Sequence, residues 1–173
     1  MSAKIKTGVA GGICSVAVII DLVLDKGHIR TNPRGLELTG NAEGGRRHLY
    51  GCPAGILNDG IGNTHGVKPG IRKTDKQIAA DWQKNTLGAE RCVNRYANGA
   101  HLPDNTFSSA VEITFNVGCP TMQKSTLFRL FRQDEFVAAC NELPHWIYAY
   151  GSKFNGLVTR RADAKNLCLD GLK

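Results

Sequence analysis

Residues 41–66 read NAEGGRRHLYGCPAGILNDGIGNTHG. One carboxylate, Glu43, stands near the start, Cys52 and Pro53 sit in the middle, and glycine recurs throughout. Turn formers this dense, in "GCPAG" and "DGIGNTHG", rule out a helix. They leave two short extended pieces, His48–Tyr50 and Ile56–Asn58, and predict a small twisted antiparallel hairpin or three-stranded sheet. Just upstream, "PRGLELTGNAEG" opens on Pro33 and closes on Gly44, the start and stop of a short helix with Glu43 at its C-terminal end.

Everything after Lys73 reads as helix. Thr74 and Gln77 form a capping box ahead of an apolar stripe through Ile78, Trp82, Ala89, Cys92, Val93 and Tyr96. Asn105 and Ser125 are candidate caps for the segments carrying Phe107 to Val117 and Leu127 to Phe131, and "DEFVAACNEL" and "GLVTRRADAKNLCL" are further amphipathic stretches. The expected fold class is α+β, with a small antiparallel sheet lobe in the N-terminal third, a larger helical lobe after it, and a cleft between them.

The 173 residues suffice for one domain with a hydrophobic core. A net charge of +7 favours polyanionic partners: nucleic acid, anionic lipid or an acidic cell-wall polymer. No nucleic-acid module is recognisable, so no nucleic-acid partner is expected. The six cysteines, at 14, 52, 92, 119, 140 and 168, contain no CxxC pair. That argues against a zinc site, and no metal or cofactor is expected. An even, dispersed set behind an apolar N-terminus points to an oxidising compartment and to disulfides whose pairing stays open.

The apolar N-terminus, "KIKTGVAGGICSVAVIIDLVLDKG", carries one charge, Asp21, between Thr7 and Leu24. As a helix, residues 7–24 span about 27 Å, against about 30 Å for a bilayer core. Lys4 and Lys6 fit a cytoplasmic N-terminus. A cleavable signal peptide would need a small-x-small site, which is missing before Asp25–Lys26, and a buried core helix is the third reading. Gly8, Gly11, Gly12, Ser15 and Asp21 make the segment a weak anchor, able to leave a membrane as well as enter it. Residues 1–32 are therefore expected to be a transmembrane segment with its linker, and 33–173 the functional domain.

Glycoside hydrolysis needs an acid to protonate the leaving oxygen and a second group acting on the other face of the sugar. Glu43 at a helix end, facing a hairpin that carries Cys52 and Asn58, can supply that geometry. Asp59 is a competing second carboxylate, although in a strand it faces away from Asn58. Thr64 and His65 follow in the turn and are expected to shape the floor of a substrate cleft. Taken singly, each of these residues is ordinarily a surface or structural side chain, and their joint spacing is what marks a site.

That spacing resembles the active-site region of phage-type lysozymes, glycoside hydrolase family 24, which have Glu, eight residues, Asp or Cys, five residues, Thr, then a glycine-rich turn. Glu43, Cys52, Asn58 and Gly60–Gly62 fall on it without a gap. "FNVGC…STL" from Phe115 to Leu127 and "GLVTRR" from Gly156 to Arg161 extend the resemblance over roughly residues 33 to 171. With the weak anchor, the chain looks most like the signal-anchor-release endolysins of phages infecting Gram-negative bacteria. The resemblance implies a monomeric muramidase that hydrolyses the β-1,4 bond between N-acetylmuramic acid and N-acetylglucosamine in peptidoglycan, with inversion. It implies Glu43 as general acid, Cys52 in place of an Asp that positions or activates water, and Asn58 in place of a Thr beside that water. It also implies a protein tethered in the host inner membrane, then released into the periplasm. Three positions depart from the family: Asn58 for Thr, Gly45 for a cysteine, and Ala164 for a Glu of the last helix. In those relatives an anchor cysteine exchanges with one near the catalytic Glu and frees the active-site cysteine. With Gly45 here, the expectation is that Cys14 pairs instead with Cys52 and inhibits the released form. A lytic transglycosylase and a catalytically weak wall-binding protein are the competing readings.

Overall fold

In the computed structural model, which describes residues 13–51, 57–149 and 151–173, the described part of the apolar N-terminus is folded into the core. Helix α1 (Val16–Asp25) buries Ile19, Ile20 and Val23 and leaves Asp21 exposed. Residues 7–12 of the expected span lie outside the described residues. No described helix is long and apolar enough to cross a membrane.

Helix α2 (Pro33–Glu43) starts as its sequence dictates. Asn32 caps it, its Oδ1 accepting from Gly35 N–H at 3.0 Å, and Pro33 supplies a preset first φ. The helix holds two glycines, each costing roughly 0.5–1 kcal/mol relative to alanine. The reason is contact. A Cβ on Gly35 would lie 2.7 Å from Ser108 Cβ, and one on Gly40 would lie 2.5 Å from Val16 and 3.0 Å from Trp82. Bare backbone lets neighbouring helices close on α2 from both sides. The helix ends where Gly44 takes φ +67°, leaving Glu43 as its last residue.

Strand β1 (Arg46–Gly51) pairs antiparallel with β2 (Leu57–Gly60), with Tyr50 opposite Asn58. The N-terminal segment adds to the outer edge, Ile13 bridging Arg46 and Cys14 N–H donating to Gly45 O at 3.1 Å. Helix α3 (Asp75–Tyr96) opens on the expected capping box of Thr74 and Gln77. The expected linker is pinned to it. The buried Glu90 carboxylate accepts from Arg30 N–H at 2.8 Å, Thr31 N–H at 2.6 Å and Thr31 Oγ1 at 2.6 Å, while the Arg30 guanidinium lies 4.2 Å over the Phe107 ring.

The larger lobe holds α4 (Asp104–Val117), α5 (Cys119–Met122), α6 (Thr126–Arg132), α7 (Phe136–Glu142) and α8 (Asn155–Asp170). Its core gathers Val93, Phe107, Ile113, Met122, Phe128 and Phe131, while Ile19, Leu36, Ile61, Ile78 and Trp82 form a second core under α1. Cys92 pairs with Cys119 and Cys140 with Cys168, 27 and 28 residues apart. In the chain-entropy view each bridge stabilises the fold by about 3–4 kcal/mol.

Two sequence expectations need correction. The chain after Lys73 is not all helix: β3 (Tyr148–Ala149) and β4 (Ser152–Lys153) form a short antiparallel hairpin with Gly151 at φ +75°. Asn105 does not cap α4, which begins one residue earlier behind Pro103; its side chain instead accepts from Asn32 Nδ2 at 2.7 Å. Ser125 does cap α6, accepting from Phe128 N–H at 3.1 Å.

Candidate active site

Glu43 emerges from α2 into a frame of arginines. Its Oε1 accepts from Arg160 Nη1 at 2.9 Å. Arg160 Nε also donates to Glu112, whose second oxygen accepts from Arg161 Nη1 at 2.8 Å; Glu112 is fully buried on α4. Arg161 further donates to Asn116 Oδ1 and to Trp146 O. Two carboxylates and two guanidinium groups thus balance in charge. Burial works against the charge of Arg160, yet Glu112 and then Glu43 outweigh it and hold its pKa above the usual value. Burial prevails at Arg161 and pushes its pKa down, Glu112 opposing. Sequence reading noted the Arg pair in "GLVTRR" but missed Glu112. Its signal is that it is the one charged residue between Phe107 and Val117, at mid-helix, where burial makes a cation partner necessary.

On its other side Glu43 meets the glycine-rich turn. A Cβ on Gly62 would come within 3.1 Å of Glu43 Oε2, and Gly62 has φ +61°, so the position is closed to other residues on both counts. Tyr50, which sequence reading treated only as part of a strand, belongs here. Burial first, then the Glu43 charge, raises its phenol pKa, while a Gly62 N–H bond to its oxygen works the other way. Asn58 is buried opposite Tyr50 in the hairpin register.

Asp59 is buried and committed elsewhere. Its Oδ1 accepts from Lys73 Nζ at 2.7 Å and Asn63 Nδ2 at 2.8 Å, and its backbone pairs with Asn63 in both directions. Lys73 also reaches Asp81 at 2.7 Å. Burial opposes the Lys73 charge, but the bonds to Asp59 and Asp81 win and raise its pKa. Asp59 therefore clamps the turn that carries Gly62. Thr64 and His65 are exposed and line a hollow of about 360 Å³ with Gly62, Lys84, Asn85, Gly88, Arg91 and Phe115. Phe115 also packs at the edge of both cores and has one side in the cleft.

Cys52 lies outside the described residues. Cys14 is a free thiol, 3% exposed, and sits where position 45 must be bare: a Cβ on Gly45 would lie 2.4 Å from its Sγ. Burial raises its pKa, partly offset by Arg47. Ala164, where the resembled family carries Glu, is buried, and its carbonyl accepts from Ser109 Oγ at 2.7 Å. No cluster of three or more His, Cys, Asp or Glu suited to a metal occurs among the described residues.

The family model described as phage lysozyme matches residues 40–164, a stretch running from Gly40 past both Arg160 and Arg161. The chain belongs to the phage lysozyme family. It is accordingly a glycoside hydrolase of the muramidase type. Among its relatives is the SAR-endolysin of Escherichia phage P1, 48% identical over 98% of each chain. Its fold matches the crystal structure of the active form of P1 phage endolysin Lyz with a TM-score of 0.91, at 47% identity over 95% of this chain and 98% of the other. Against the secreted inactive form of the same endolysin the TM-score is 0.60, over 83% of this chain and 97% of the other.

Proposed function

We propose that Glu43 is the general acid in hydrolysis of the β-1,4 bond between N-acetylmuramic acid and N-acetylglucosamine. The enzyme is an endolysin that degrades peptidoglycan in host lysis. The observation that carries the role of Glu43 is its placement: a carboxyl at a helix terminus, pinned by Arg160 and packed on Gly62, which itself lines a cleft. An acid fixed at a cleft edge protonates the leaving glycosidic oxygen, and Cys52 and Asn58 then hold the attacking water on the opposite face. A water between acid and hydrolytic partner gives inversion, without a covalent intermediate. A reducing N-acetylmuramic acid end in the digestion products is the expected result. A 1,6-anhydro end would replace this reading with the transglycosylase one, and no cleavage at all would leave a wall-binding protein.

The second part of the proposal concerns residues 7–24. They tether the chain in the host inner membrane until release, and their described part then packs as α1. The names of the relatives and the greater likeness to the active than to the inactive P1 form support this reading. A segment that is marginal in lipid has a competing burial site against Leu36, Ile78 and Trp82. Cys14 is the redox element. Thiol exchange requires access and thiolate, and the docked Cys14 has little of either. Its inhibitory pairing with Cys52 therefore precedes docking of α1 and competes with it. Protein released under oxidising conditions is expected to gain lytic activity on mild reduction, and Cys14→Ser to be active without it. Equal activity of wild type before and after reduction, with no Cys14–Cys52 peptide by mass mapping, would leave the tether as the sole control.

A further inference from the structure

The hollow beside Glu43 is walled along α3 by Lys84, Gly88 and Arg91, which recur at steps of four and three on one helix face. Both cations are exposed side chains that line the cleft, and a Cβ on Gly88 would lie 3.7 Å from Arg91 Nη2, so the guanidinium lies over bare backbone. Among the described residues no carboxylate lines this hollow, and neither Lys84 nor Arg91 has an ion-pair partner. The hollows between α2 and α8 differ. There Glu37 and Asp163 contribute acid, Arg34 is paired with Asp170 at 2.8 Å, and Arg160 is paired with Glu43. Unspent positive charge is thus set into the wall of the hollow whose Gly62 packs against Glu43.

We propose that Lys84 and Arg91 form a carboxylate-reading subsite, which binds anionic substituents on the glycan strand and makes the enzyme prefer strands that carry them. This rests on the muramidase reading and deepens it. An uncharged polysaccharide offers these side chains nothing to pair with. The strand of peptidoglycan carries a lactyl group on every second sugar, a carboxylate where no peptide is attached, and the attached peptides end in free carboxylates. Exposed ion pairs are individually weak and screened by salt, so the subsite acts on substrate capture and not on bond cleavage.

The test uses the full released chain and three forms of one glycan preparation: peptide-bearing strands, strands with peptides removed so that the lactyl carboxylate is free, and peptide-bearing strands with every carboxylate converted to a neutral amide. Wild type is expected to cut the amidated strands with kcat/KM about 3- to 10-fold below the peptide-bearing ones at low salt, chiefly through KM. The preference should fade at 0.5 M salt, following a Debye length of only a few ångströms. The double variant Lys84→Gln with Arg91→Gln is expected to cut peptide-bearing and amidated strands alike, at the rate of wild type on the amidated form. A fall on peptide removal shows that the subsite reads peptide carboxylates alone, and unchanged cleavage shows that the lactyl carboxylate freed by that removal serves it equally well. A double variant that retains the full preference would overturn the proposal, as would a wild type indifferent to amidation while still cutting all three forms. A wild type that cuts none of them would sink the muramidase reading and the subsite with it.

Discussion

Glu43→Gln is expected to reduce lysis of permeabilised Gram-negative cells by about 10²- to 10⁴-fold, the usual contribution of a general acid. The substitution keeps the shape of the side chain. Its amide oxygen can still accept from Arg160 Nη1, and its Cγ still packs on Gly62. What it loses is the transferable proton. Arg160 retains Glu112 as a buried counter-ion, so the fold should survive with little change in melting temperature. The two readouts must therefore separate, with activity lost and stability kept. A variant that retained more than a tenth of wild-type turnover would remove Glu43 from the proton-donating role, whatever the fold.

The half of the site that lies within one stretch of chain was legible in the sequence. Glu43, the hairpin and the glycine-rich turn are separated by fewer than twenty residues, and local chemistry dictates each: a helix stop at Gly44, a turn at Gly60–Gly62 and strand pieces between. The other half was not. Arg160 meets Glu43 across 117 positions and Glu112 across 48, and in its own helix Arg160 passes for an ordinary charged side chain, while a lone acid such as Glu112 does not name its partner. The same limit hid Tyr50, whose role comes from what lies beside it and not from strand propensity.

The N-terminal segment shows a different limit. Apolar composition reports a preference for leaving water and does not say which apolar phase receives the residues. Ile19, Ile20 and Val23 satisfy that preference against Trp82 and Ile78 as they would in lipid. The β3–β4 hairpin escaped notice because two-residue strands are too short to display an alternating pattern, and the disulfide pairing because spacing alone does not choose among connectivities. The caps of α3 and α6, and the glycine stop of α2, were legible because such signals are made by residues adjacent in sequence.

Glu112→Gln is expected to cost about 3–5 kcal/mol of stability and to lower the melting temperature by roughly 6–20 °C, the consequence of removing one member of a buried ion cluster. Glu112 is completely buried and binds both Arg160 and Arg161, which are themselves nearly inaccessible to water. Neutralising it leaves two buried positive charges facing one partly exposed carboxylate. The cluster has no slack to absorb the loss, since Arg160 Nη2 already lacks a hydrogen-bond partner among the described residues. Activity should fall as well, even at temperatures where the variant is folded. Arg160 then has Glu43 as its only anionic partner and draws that carboxylate out of the balanced arrangement that holds it at the cleft. Denaturant unfolding with disulfides intact reads the first effect, and turnover well below the melting point reads the second. A stability loss under about 1 kcal/mol would mean that the two guanidinium groups reach water, and the charge balance would then not be what positions Glu43.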